Sequence, residues 1–97
     1  MALTRVRWTR TAHRDLIAIG EYIAADNPIV ARMVVNRLHQ AGERLVEFPE
    51  RGRVGRVKGT RELVIPQLPF IIIYRRVPDG IELLTVVHGA QQYPPER

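Results

Sequence analysis

Five consecutive residues, Phe70-Ile71-Ile72-Ile73-Tyr74, are apolar, and all of them are β-branched or aromatic. Side chains on a strand alternate between its two faces, so a run without a polar position has to be covered on both sides. The run continues to Arg75 and is bounded by Pro66-Gln67-Leu68-Pro69 before it and Pro78-Asp79-Gly80 after it, both turn-forming sequences. Thr60 to Ile65 reads as a strand on one side of these turns, and Ile81 to His88 reads as the last strand on the other. The three segments predict an antiparallel meander.

The first half of the chain supplies what can cover that meander. Leu3 to Trp8 alternates Val6 and Trp8 against Arg5 and Arg7, the pattern of a half-buried strand. Thr9 offers a capping oxygen, and Ala12, Leu16, Ile19 and Ile23 recur on one helical face, predicting a helix from about Arg10 to Ala25. Asp26-Asn27-Pro28 ends it and starts another, with Asn27 as cap and Pro28 in the first turn. Val30, Met33, Val34, Leu38, Ala41, Leu45 and Phe48 form the apolar stripe expected of this second helix, which stops at Phe48-Pro49. The element order β-α-α-β-β-β predicts an α+β fold, a helical hairpin on one face of a small, mainly antiparallel sheet. Two helices cover only one face. The other must be closed by loops and the tail Gln91 to Arg97, or by a docked partner segment.

A chain of 97 residues fits a single domain spanning 1–97, and such a domain buries a thin core. There is no cysteine to reinforce it, which also leaves no sign of an oxidising compartment. The N-terminus lacks the apolar stretch of a signal peptide, and no apolar run approaches membrane-spanning length, so a cytoplasmic protein without membrane contact is expected. The net charge is +5. Arg51, Arg53, Arg56, Lys58 and Arg61 lie in eleven positions without an acid, leaving ten basic and ten acidic residues elsewhere. A charge run is ordinarily a solvated loop, but one this concentrated also suits an anionic partner.

No phosphate loop, paired-histidine metal spacing or nucleophile elbow is present, and no metal or cofactor is expected. His13 and His39 fall within the helices as surface residues. His88 closes the last strand before Gly89, where a structural hydrogen-bonding role is the expectation.

Val6-Arg7-Trp8-Thr9, Ala12, Asp15-Leu16 and Tyr22-Ile23-Ala24 in the first half resemble the RelE/ParE family of toxins. So do Gly59-Thr60-Arg61-Glu62-Leu63, Pro69 to Arg75 and Val86-Val87-His88-Gly89-Ala90-Gln91-Gln92-Tyr93-Pro94 in the second, and the ParE-like branch is the nearer. The resemblance implies the toxin of a type II toxin–antitoxin pair, wrapped by a ParD-like or RelB-like antitoxin. ParE-like members poison DNA gyrase by binding; RelE-like members cut mRNA on the ribosome. The first reading has no catalytic residues and meets DNA only through the antitoxin. Its expected contacts to target or antitoxin are Arg51, Arg53, Arg56, Lys58, Arg61, Phe70, Ile72, Tyr74, Arg75 and Arg76. The nuclease reading needs phosphate charge from Arg61, a base such as Glu62 or Lys58, and an acid from His88 or Tyr93. Many relatives carry arginines after the His-Gly, where this chain has Ala90, Gln91 and Gln92.

Overall fold

The computed structural model describes residues 5–89 and 93–94. Leu3 and Thr4 of the expected first strand, Ala90, and most of the tail lie outside the described residues. The elements run β1 (Arg5–Trp8), α1 (Arg10–Ala24), α2 (Pro28–Glu43), β2 (Arg53–Val54), β3 (Arg61–Val64), β4 (Phe70–Val77) and β5 (Gly80–His88). The strands form one sheet in the order β1-β5-β4-β3-β2, antiparallel throughout except that β1 runs parallel to β5. The expected α+β arrangement is present, with the doubly apolar run at the middle of the sheet and one strand, β2, added from within the basic loop.

Both helix starts follow from their caps. The Thr9 hydroxyl accepts from the Ala12 amide at 3.1 Å, and Asn27 Oδ1 accepts from the Val30 amide at 3.1 Å, with Pro28 in the first turn. The second helix departs from expectation in two ways. It ends at Glu43 and tightens into a 3₁₀ turn over Arg44–Val46, short of the expected stop at Phe48-Pro49. Its buried face is Ala31, Val34, Leu38 and Gly42, leaving Val30, Met33 and Phe48 exposed. Gly42 explains the rotation: a Cβ there would stand 2.7 Å from the Trp8 ring and 2.9 Å from Leu83, so the helix approaches the sheet along its smallest side chain. Trp8 completes this contact by stacking on His39 at 5.5 Å and donating its indole N–H to Glu43 at 2.9 Å.

The helix-side core joins Ala12, Leu16, Val34, Leu38 and Leu45 to Leu63, Ile72, Tyr74, Ile81, Leu83 and Val86. A bulge lies where Tyr74 pairs with Leu83 while Ile73 pairs with Thr85. The α1 region serves the groups this bulge displaces. Thr9 donates its hydroxyl to the Leu84 carbonyl, the Thr85 hydroxyl bonds Asp15, and Asp15 also accepts from the Val86 amide at 3.0 Å. Among the described residues, no helix is long and apolar enough to cross a membrane.

Tyr74 ties this core to the loop before β2. Its fully buried phenol donates to the Pro49 carbonyl at 2.9 Å and accepts from the Gly52 amide at 2.8 Å. Burial pushes its pKa above the ordinary 10.0, against the Gly52 hydrogen bond and the nearby Arg61 charge, so the phenol stays neutral and keeps both bonds. Tyr74→Phe leaves two backbone groups without their partner and is expected to cost about 1–3 kcal/mol in urea unfolding. An unchanged denaturation midpoint would show that the phenol does not hold the loop.

Candidate functional site

The face of the sheet opposite the helices is the candidate site, and it is built differently from the apolar plane that the run at Phe70 implies. On β4 the helix side takes Ile72 and Tyr74, both fully buried, so neither is available to a partner; Phe70 is partly buried against the same core. The far side of β4 presents Ile71, Ile73 and Arg75. Glu62 stands beside Ile73 from β3, and Glu82 stands beside Arg75 from β5. Both carboxylates are only 4% exposed.

Each carboxylate is compensated by arginine. Glu82 pairs with Arg7 across the parallel β1–β5 contact and accepts from Arg75 Nε at 2.7 Å. Glu62 accepts from Arg53 Nε at 3.1 Å and Nη2 at 3.0 Å through one oxygen, and from the Arg56 backbone amide at 3.1 Å through the other. Burial alone would raise the Glu62 pKa. The Arg56 amide, the Arg53 hydrogen bond and the charges of both arginines outweigh it, and hold the carboxyl below the ordinary 4.5. A carboxylate with both oxygens so engaged is a weak proton acceptor.

The basic segment is therefore not a uniform set of surface cations. Arg53 is committed to Glu62, and Arg61 turns its guanidinium to the carbonyls of Gly52 at 2.7 Å and Glu50 at 3.5 Å. Arg75 is committed to Glu82, and Arg76 sits 3.7 Å from Glu50. Arg51, Arg56 and Lys58 remain exposed, with the Arg56 side chain also reaching the Tyr93 carbonyl at 3.4 Å. His88 is exposed at the end of β5 and meets Phe70 edge to face at 5.7 Å. Arg61 pairs opposite Tyr74 and His88 opposite Phe70. Those rows are four residue steps apart along β4, about 13 Å of strand. The fold thus does not gather Arg61 and His88 at one point.

Among the surfaces with exposed apolar groups, two bear on docking. On the far face, Val64, Ile71 and Val87 form one row across three strands, with Val64 half-exposed and the other two partly so. Between the two helices, the buried Leu16 and Ala31, the half-exposed Ile17, and Gly20 and Val35 line a groove of about 640 Å³. The groove was not legible beforehand, since only Leu16 of these residues falls in a stripe read from the sequence and the others lie beside the stripes. Among the described residues, no cluster of His, Cys, Asp or Glu is arranged to hold a metal ion.

Residues 6–93 match the family described as the ParE toxin of the type II toxin–antitoxin system parDE. The chain is 49% identical over 94 residues to the toxin candidate Y4kP of Sinorhizobium fredii, covering 97% of each chain. It is 36% identical over 90 residues to toxin RelE2 of Caulobacter vibrioides, covering 92% of this chain and 99% of that one. Among solved structures, it resembles a chain of the chromosomal ParDE system of P. aeruginosa with a TM-score of 0.82 at 26% identity, covering 91% and 98%. A chain of the toxin–antitoxin complex RelBE2 of Mycobacterium tuberculosis matches with a TM-score of 0.57 at 25% identity, covering 91% and 93%.

The Glu62 clasp sets an acid dependence. Its folded pKa lies below its unfolded one, so its contribution to stability is complete above the ordinary 4.5 and is lost as pH falls through the lower folded value. Arg53→Gln leaves that carboxylate without its guanidinium partner, and is expected to cost about 1.5–3 kcal/mol at neutral pH with a flatter acid limb in unfolding curves. Arg51→Gln removes an exposed charge and should leave stability within about 0.5 kcal/mol. Equal effects of the two substitutions would contradict this division of the arginines.

Proposed function

Since the chain belongs to the ParE toxin family of type II toxin–antitoxin systems, we propose that it arrests growth by binding DNA gyrase and is neutralised by a ParD-like antitoxin. The observation that carries this reading is the engagement of the basic residues. Ribonuclease chemistry needs cation, base and acid around one phosphate. Here Arg61 is turned onto loop carbonyls, Glu62 is held charged by Arg53 and Arg56, and His88 belongs to a different row of the sheet. Arg51, Arg56 and Lys58 are left on the surface, as suits a protein that acts by contact. The stronger structural likeness to the ParDE system than to RelBE2 points the same way. The competing reading, a ribosome-dependent mRNA endonuclease, draws its support from the 36% identity to toxin RelE2.

The purified toxin should inhibit gyrase supercoiling, and induction in cells should stop DNA synthesis before protein synthesis. His88→Ala should keep the growth arrest, at a stability cost of about 1 kcal/mol for a lost interaction. A folded His88→Ala protein that no longer arrests growth, beside wild-type protein that cleaves mRNA on ribosomes, would overturn the gyrase reading.

The proposed antitoxin site is the far face, along Val64, Ile71 and Val87, where a segment carrying apolar anchors would complete the burial of β4. A carboxylate introduced there would be desolvated in the complex without a partner. Val64→Asp should therefore weaken antitoxin binding roughly tenfold or more in a titration, while Ile17→Asp in the helical groove should not. The reverse result would move the docking site to the helices.

A further inference from the structure

The eleven-residue basic segment folds back on itself as a hairpin, and one buried carboxylate sets its shape. β2 pairs Arg53 with Glu62 and Val54 with Arg61. Beyond that pair the Gly55 amide donates to the Thr60 carbonyl at 2.8 Å, and the Thr60 amide and hydroxyl both donate to the Val57 carbonyl, at 3.1 and 2.6 Å. Gly59 takes a positive φ of 83° to close the turn, and a Cβ on Gly55 would collide with Thr60. Glu62 reaches across this loop from inside, holding the Arg53 guanidinium with one oxygen and the Arg56 backbone with the other.

The tip so fixed presents an unusual surface for a loop of this charge. Val54 is 78% exposed and Val57 36%, beside the exposed side chains of Arg56 and Lys58. At 78% exposure Val54 adds little to the hairpin's own packing, and a phosphate backbone would reward the cations alone. Cations around apolar side chains match a protein surface, where a small apolar patch is ringed by carboxylates.

We propose that the hairpin tip Val54, Arg56, Val57 and Lys58 is the surface with which the toxin grips an acidic, partly apolar site on its target protein. Glu62 is the positioning residue that pre-forms it. This rests on the reading of the chain as a toxin that acts by binding. Pre-forming the tip removes from the binding step the ordering cost that a flexible loop of this length would incur.

The test uses the full chain in two variants. Val54→Ser with Val57→Ser touches no internal hydrogen bond, so unfolding and amide exchange should match wild type while growth arrest requires roughly tenfold more toxin. Glu62→Gln should speed exchange of the amides at 55–60 and weaken growth arrest to a similar degree, with antitoxin affinity held within about threefold. A general structural role would instead lower antitoxin binding together with arrest and speed exchange everywhere, and that outcome sinks the assignment of Glu62. If Glu62→Gln fails to fold, the valine variant alone decides. Full arrest by the valine variant overturns the proposal, as does loss of arrest on removing Arg56 and Lys58 but not the valines, which would indicate nucleic acid. Wild-type toxin that arrests growth without inhibiting gyrase removes only the gyrase reading, because the valine result is read from growth itself.

Discussion

Two helices can cover one face of a small sheet, and most of the remaining architecture follows from how the second face is dealt with. The central strand β4 is apolar on both sides over Phe70 to Tyr74. Its helix side is closed by the stripes of α1 and α2, drawn close at Gly42. On the other side the chain places two glutamates, one on each neighbouring strand, and lays arginines from β1, β2 and β4 over them. The aliphatic stems of those arginines shield the sheet while their heads neutralise the carboxylates. Ile73, between the two glutamate-bearing strands, is only 1% exposed although no helix lies above it.

Buried ion pairs are seldom a net source of stability, since desolvation offsets much of the attraction. What they provide here is register. A one-residue slip of β3 against β4 would carry Glu62 to the helix side, into the cluster of Leu63, Ile72 and Tyr74, with no cation to meet it. The same pairs decide where the positive charge of the molecule remains available. Arg7, Arg53 and Arg75 are taken up by the glutamates, which leaves Arg51, Arg56 and Lys58 as the exposed cations of the basic segment, on one hairpin and the loop leading into it.

The local signals of the sequence were faithful where the physics is local. Thr9 and Asn27-Pro28 cap the helices as their chemistry demands, and the turns at Pro66–Pro69 and Pro78–Gly80 separate the strands where expected. The element order and the family resemblance were legible for the same reason. The misjudged features depend on distant partners. The buried stripe of α2 is rotated away from Val30, Met33 and Phe48 because Gly42 meets Trp8 and Leu83, residues more than thirty positions away in each direction. The short strand β2 exists only because β3 offers it an edge, and two residues carry no periodicity to read. Arg53 and Arg61 look like Arg51 in the sequence; only the fold reveals which of them faces a carboxylate or a carbonyl.

The parallel contact between β1 and β5 has a consequence in time. Arg5 pairs with Gly80 and Trp8 with Leu83, so among the described strands β1 has no neighbour until β5 has been made. The helical hairpin, whose contacts are short in sequence, can form early, but the sheet closes only over loops of some 75 residues, the slow kind of contact. The Arg7–Glu82 pair depends on that same closure, and with it one half of the charged face. A growing chain therefore carries its helices before it carries its finished sheet. The β1 edge of the sheet, and the charged face that Arg7 shares with Glu82, is completed only after β5 has been made.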